Sequence, residues 1–322
     1  MLLDSNQLKA QLGGVQGKLN FETVAPFVKS AAWDFRRAVG RELYAFLETY
    51  DGEDPQLTEL QEAAQGCVAW AAFDRAAPHL KLRIGDLGIM KNSPSNTVAI
   101  TKWEYVDLRE SNMVMVDLYW EFFWERLDEA RPEAWTTSEA YQRHHSYFIR
   151  SAAELTKYLP LAGRNRRFFD AITEYIRRAE QLYIEDVLTE GVFEELKGKW
   201  QSAQASLTPL ETKLVERIRE ALAHLAIYEA YPYLPIKVDQ QGFRQVRMQD
   251  GLQEEDPAER PNRQAQRRQL WQDGQLYLGR LRSFLNRHAT ESTFPSYYEQ
   301  NLAPQPDDED FDDFTHKPHV IL

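Results

Sequence analysis

The chain has 322 residues, 43% hydrophobic and 27% charged, with a formal net charge of −12 and one cysteine. The composition is that of an ordinary folded protein, and the negative charge argues against a general binder of nucleic acid or of an anionic membrane. The lone Cys67 excludes an intramolecular disulfide and fits a reducing compartment.

The length suits two domains of typical size. No apolar run approaches the roughly 20 residues that span a bilayer, and Met1–Gly14 has no apolar stretch of signal-peptide length, so a cytoplasmic protein is expected.

In chain order, "SNQLKAQL" places Leu8 and Leu12 one helical turn apart. In "FETVAPFVKSAAWDFRRAVGRELYAFL", Val24, Val28, Ala31, Phe35 and Val39 form one helical stripe. Thr58 with Gln61 has the spacing of a capping box ahead of "LTELQEAAQGCVAWAAFDRAAP". Then "PHLKLRIGDLGIMKN", residues 78–92, alternates Leu80, Leu82 and Ile84 with cations and breaks at Gly85-Asp86, which reads as a short β-hairpin. The long aromatic helix "WEYVDLRESNMVMVDLYWEFFWERLDEA" comes next and ends near Trp135.

The order then begins again. Leu155 and Leu159 in "AAELTKYL" repeat the first pair, and Ile172, Ile176, Ala179, Tyr183 and Val187 repeat the stripe. Thr208-Pro209-Leu210-Glu211 is a stronger capping box, with proline at the first helical position. "PYLPIKVDQQGFRQV", residues 232–246, repeats the hairpin pattern, with Gly242-Phe243 in the place of Gly88-Ile89, and a helix ending near Phe294 closes the series. Repeated order of this kind reads as a tandem duplication of an all-α module carrying one β-hairpin per copy, residues 1–147 and 148–300. The alternative is two unrelated helical domains. Residues 301–322 differ: three prolines, an acidic block from Asp307 to Asp313, and an apolar end. Such runs are solvated by themselves, while Phe311, Phe314, Ile321 and Leu322 suit a docking arm.

Motifs for chemistry are scarce. Gly13-Gly14 lacks the strand–helix context and the Lys-Ser/Thr pair of a phosphate loop, and hydrolase signatures are absent. His144 and His145 are adjacent and so do not share a helical face, which argues against a two-histidine metal site. His316 and His319 lie on the tail, and Glu220 with His224 has no counterpart in the first half, as a di-iron bundle would require. Cys67 sits in an alanine stripe and reads as packing. No catalytic, cofactor or metal residue is assigned. Trp120, Phe122, Phe123 and Trp124 put four rings within five positions, more than one core face can bury, so either both modules enclose this helix or Trp120 and Trp124 meet a partner.

The two long helices differ in charge. From Thr101 to Ala130, Lys102, Arg109 and Arg126 stand against eight carboxylates, a net −5. From Arg260 to His288, seven arginines, including Arg280 and Arg282, stand against Asp273, a net +6. Either each is a solvated face, or the two are complementary, within a chain or between chains.

A long helix of the "FVKSAAWDFRRAVGRELYAFL" kind, a loop, and a second helix ending in aromatic-Pro resemble the head–tail adaptor (connector) proteins of tailed phages and prophages, over some two helices per copy. That resemblance implies a non-enzymatic, ring-forming structural protein under a portal. Its partners would be portal, tail-completion or capsid proteins and neighbouring subunits, with no sequence-specific nucleic acid and no membrane. It would be cytoplasmic during assembly and in the virion afterwards. The duplication departs from the usual single module and leaves the subunit number open. The alternatives are another helical scaffold or interaction protein, or an enzyme whose site has no recognisable motif.

Overall fold

A computed structural model describes residues 2–13, 20–80, 82–85, 88–91, 101–234, 236–239, 242–245 and 260–303. Among these the fold is all-α. The first half contains α1 (Ser5–Leu12), α2 (Phe21–Val39), α3 (Arg41–Thr49), α4 (Pro55–Leu80), α5 (Lys102–Ala130), α6 (Glu133–Thr136) and α7 (Glu139–His144). The second half contains α8 (Ala152–Tyr158), a 3₁₀ turn (Pro160–Ala162), α9 (Arg166–Ala179), a π turn (Glu180–Ile184), α10 (Glu185–Leu188), α11 (Glu190–Gln201), α12 (Pro209–Ala230), α13 (Arg260–His288) and α14 (Pro295–Asn301).

Two helices are buried around their circumference, and the others are arranged to cover them. Every residue from Ala63 to Ala69 in α4 is buried, as is every residue from Ala221 to Ile227 in α12. A helix that is apolar all round must be enclosed by other elements. α1, α2 and α5 pack on α4, and α8, α9 and α13 pack on α12 in the corresponding places. The outer contacts match too, α3 on α6 and α11 on α14. Each half has its own core, from Leu2 to Tyr141 and from Phe148 to Tyr297. In each pair of long helices a glycine permits close approach: Tyr119 of α5 lies against Gly66 of α4, and Leu225 of α12 against Gly274 of α13.

Helix ends obey local chemistry. Thr101 with Glu104 and Thr208 with Glu211 form complete capping boxes. Thr58 and Gln61 do not. α4 begins earlier, at Pro55; the Asp54 carboxylate accepts from the Gln56 N–H at 2.9 Å. Gln61 instead donates its side-chain amide to the carbonyls of Leu47 and Tyr50, at 2.8 and 2.9 Å, tying the end of α3 to α4.

The stripe Val24, Val28, Ala31, Phe35 and Val39 is buried throughout. Its counterpart holds through Ile172, Ile176 and Ala179, and then the π turn adds one residue to the winding. The added residue rotates the next turn of helix, so Ile184, Val187 and Leu188 are buried, while Tyr183 moves to the rim and donates its hydroxyl to Glu229 at 2.6 Å.

Beyond this point both halves turn through the same unusual backbone. Gly40 has φ 88° and ψ 163°, and Thr189 has φ 70° and ψ 150°. This region is open to glycine and strained for other residues, at about 1–3 kcal/mol.

Strand β1 (Leu82–Gly85) pairs antiparallel with β2 (Gly88–Lys91), and β3 (Ile236–Asp239) with β4 (Gly242–Gln245). Gly88 faces Gly85, and Gly242 faces Asp239, at matching register positions. The residues joining these strands, and all their side chains, lie outside the described residues.

Thr189→Gly is expected to raise unfolding stability by about 1 kcal/mol through release of strain. Gly40→Ala is expected to lower it, because its Cβ would stand 2.8 Å from that of Ala140 as well as at positive φ. Denaturant unfolding of both variants checks the pair; destabilisation by Thr189→Gly would refute the strain argument.

Candidate functional site

The densest charge chemistry lies where the two halves meet. Asp117 and Glu121 are one turn apart on α5 and both are buried, facing the start of the second half. Arg167 Nη2 lies 3.7 Å from Asp117, and the Arg166 guanidinium sits 3.5 Å from the centre of the Trp120 ring. Glu121 Oε2 accepts from the Ala153 N–H at 3.0 Å. Burial raises the Asp117 carboxyl to about 6, opposed chiefly by Arg167. Burial likewise raises Glu121 to about 7, opposed by the Ala153 hydrogen bond and Arg164.

The linker between the cores is tied down by a second network. Arg150 donates to both Asp128 oxygens, at 2.9 and 3.3 Å, and to Glu154 at 2.7 Å. It also approaches His145 Nε2 at 2.8 Å. Since His145 Nδ1 points at the Tyr141 carbonyl, 2.9 Å away, a neutral ring protonated at Nδ1 satisfies both contacts. Burial and then the Arg150 charge lower its pKa to about 4. Arg219 donates to the Phe148 carbonyl at 2.7 Å and to Glu154 at 3.1 Å. Both guanidiniums cover the Trp200 ring, whose indole N–H donates to the Tyr147 carbonyl at 2.9 Å.

Beneath this lies a buried ion pair: Lys197 Nζ donates to Glu180 at 2.6 Å and to the Ser146 carbonyl at 2.7 Å. Glu180 also accepts from the Phe148 N–H at 2.6 Å. Glu180 opens the π turn, so the added residue is what aims this carboxylate at the linker.

Of the residues singled out in sequence, Trp120 is in the core, against Phe35 and Phe123 and under Arg166. Trp124 is half-buried, stacked on His144 at 4.1 Å. Of the four clustered rings, Phe122 is the exposed one. Arg280 and Arg282 are exposed on α13; Arg282 lies 3.6 Å from Asp186. Phe311, Phe314, Ile321, Leu322, His316 and His319 lie outside the described residues. His224 has Nδ1 on the Glu220 carbonyl and its ring stacked on Tyr277, and Glu220 pairs with Arg217. Cys67 is buried, and burial pushes its thiol well above the usual range. Among the described residues no group of three or more metal-ligating side chains comes together, and no helix is long and apolar enough to cross a membrane.

The inter-half carboxylates, arginines and the Glu180–Lys197 pair were not singled out in sequence. The signal was an acidic pair at i, i+4 among core rings, with the basic "RNRR" further on, at the start of α9. Of the eight acids of α5, Asp117 and Glu121 are buried and so belong neither to a solvated face nor to an exposed complementary one. A cleft of about 400 Å³ opens beside this seam, between α2, α4, α5 and α9. Its charges are largely satisfied within the chain, Arg75 on Asp34 at 2.5 Å and Arg166 on Asp170 at 3.5 Å, an arrangement suited to holding two bodies together.

The fold and seam thus define a two-bundle helical protein joined by buried and half-buried ion pairs. A family model, described as a Family of unknown function (DUF6712), matches residues 38–145 and 184–303, and the chain belongs to that family. No curated protein and no solved structure matches it.

Lys197→Met is expected to cost about 3–5 kcal/mol by stranding a buried charge, and adding Glu180→Gln to recover much of it. Equal loss in single and double variants, measured by denaturant unfolding, would show the pair to be unimportant.

The raised Glu121 pKa gives a pH signature. The folded chain keeps this proton up to about 7 while the unfolded chain releases it near 4.5, so its contribution to stability falls as pH rises between those values. Glu121→Gln, which mimics the protonated form, should gain thermal stability over wild type as pH rises from about 5 to about 8. A constant difference across that range would contradict the assignment.

Proposed function

We propose that the protein is a non-enzymatic structural component of virion or prophage assembly, of the head–tail adaptor kind, that works as a homo-oligomeric ring. In this reading it is a tandem duplication of one helical module, residues 1–147 and 148–300, each bearing a short β-hairpin, with residues 301–322 as a carboxyl-terminal arm. Its partners are neighbouring copies and portal, tail-completion or capsid proteins. It acts in the cytoplasm during assembly and in the particle thereafter, without base-specific contact to nucleic acid.

The observation that carries the reading is recurrence. The packing order α1–α2–α4–α5 returns as α8–α9–α12–α13. The paired positions Gly40 and Thr189, Pro55 and Pro209, and Leu127 and Leu285 stand 149, 154 and 158 residues apart. The two stretches matched by the family model begin 146 residues apart (38 and 184) and end 158 apart (145 and 303), with the same drift. A chain that spends its length on two copies of one packed unit, with its charged seam devoted to fixing one against the other, is built as a rigid strut. Such parts serve assemblies, where geometry is the product.

Negative-stain electron microscopy and mass photometry of the purified chain test this reading. Closed rings of uniform subunit number that co-purify with a portal protein are the expected result. A strictly monomeric protein indifferent to portal would refute it.

A further inference from the structure

We infer that the outward face of α5 docks on the outward face of α13 of a second copy of this chain, the contact that joins neighbouring subunits; the inference rests on the oligomeric reading above. Trp103, Val114 and Phe122 of α5 are 71%, 62% and 42% exposed, far more than large apolar residues need be on a well-covered helix. Their spacings of 11 and 8 residues bring all three to one side of a 3.6-residue helix, away from Trp120, Phe123 and Leu127, which face the core. Asp107, Glu125 and Glu129 are exposed along the same side. The stripe is therefore an apolar ridge interspersed with carboxylates, of which Glu129 also accepts from Arg126 at 2.7 Å.

The opposite relief appears on α13. Leu270, Leu278, Leu281 and Leu285 face its core, leaving Gln272, Leu276, Gly279 and Ser283 outward. Leu276 is 55% exposed, open space lies above Gly279, and the Ser283 hydroxyl is folded back onto the Gly279 carbonyl at 2.9 Å. Small residues at this point make a low floor that large rings can approach closely. Arg268, Arg280 and Arg287 border it, all exposed, and none has a carboxylate partner among the described residues. From Trp103 to Phe122 the ridge is about 28 Å long, and from Arg268 to Arg287 the floor is about 28 Å long. Ridge meets floor and carboxylates meet guanidiniums, so relief, length and charge all favour a second copy as the occupant.

Within one chain, α5 meets the second half through Arg150, α8 and α9 by its inward side, so the docking of its outward side is between chains. Because the two surfaces are different, each subunit keeps one free ridge and one free floor, a heterologous contact that closes into a ring or continues as a filament.

Sedimentation velocity of the full chain across a salt series tests the assignment, with circular dichroism melts confirming that each variant folds. Arg280→Glu with Arg287→Glu should weaken association at least tenfold at low salt, and Glu125→Arg with Glu129→Arg added to the same chain should restore most of it. Phe122→Ser should weaken association at high salt as well, where the charges are screened. Oligomers that ignore the arginine reversal would sink this interface while leaving the ring reading intact. A monomer under all conditions would sink both. Loss on arginine reversal without rescue would remove α5 as the occupant and point to the acidic tail instead.

Discussion

Everything in this fold answers to the need to enclose two helices whose middle turns are buried on every side. α4 is rich in alanine, with Gly66 and Cys67 at its middle, and α12 alternates alanine with leucine and isoleucine. Neither is stable in water alone, and the burial of seven consecutive residues in each requires neighbours on all sides. The long helices before and after supply those neighbours, and the short helices close the ends. The small residues of α4 allow α5 to approach within reach of its backbone, so larger rings, Phe35, Trp120 and Phe123, fill the remaining volume. The second bundle carries larger aliphatic residues on its central helix and still packs many rings around it, Phe148, Phe168 and Phe193 among them.

The two bundles differ most where they touch. In the first half the helix corresponding to α9 runs without a bulge and buries Ala32. In the second half the π turn admits one more residue and introduces Glu180, which is buried and needs a counter-charge. Lys197 supplies it from α11, and the pair's remaining hydrogen-bonding capacity is taken up by Ser146 and Phe148 of the linker. One added residue thus turns an apolar helix surface into an anchor for the connecting chain. Arg150 and Arg219 extend the anchoring outward, satisfying Glu154 and Asp128 and covering Trp200. The seam is specific because buried charges admit few arrangements, whereas an apolar seam would tolerate sliding.

The helical class, the core stripe of α2 and the cap at Thr208 were legible because each depends on local spacing, which the sequence displays directly. The start of α4 was misplaced because Asp54 and Pro55 form a shorter-range stop than the Thr58–Gln61 spacing, and Gln61 is occupied with α3. The burial of Ile184 in place of Tyr183 was not legible, since a π turn shifts the phase of a 3.6-residue pattern by an amount no single sequence announces. The seam was hidden for a different reason: whether Asp117 or Glu121 faces water or Arg167 is decided by the angle between two bundles, a tertiary fact. The aromatic cluster on α5 was resolved by the same angle, with Arg166 covering Trp120 and Phe122 left outside.

Rigidity at the seam and difference at the outer faces belong together. Two copies of a module with identical surfaces would present the same patch twice, and contacts between such chains would have no direction. Acid on α5 and arginine on α13 remove that degeneracy, because like meets unlike in one sense only. The direction is useful only if the angle between the faces is constant, since a heterologous contact closes into a ring when each subunit turns the chain by the same amount. A hinge between the bundles would spread that angle and yield open strings of mixed curvature. The network around Arg150, Glu180 and Lys197 is placed where such a hinge would bend. On this reading the buried charges between the bundles set the curvature, and the exposed charges on the long helices set the sense in which subunits join.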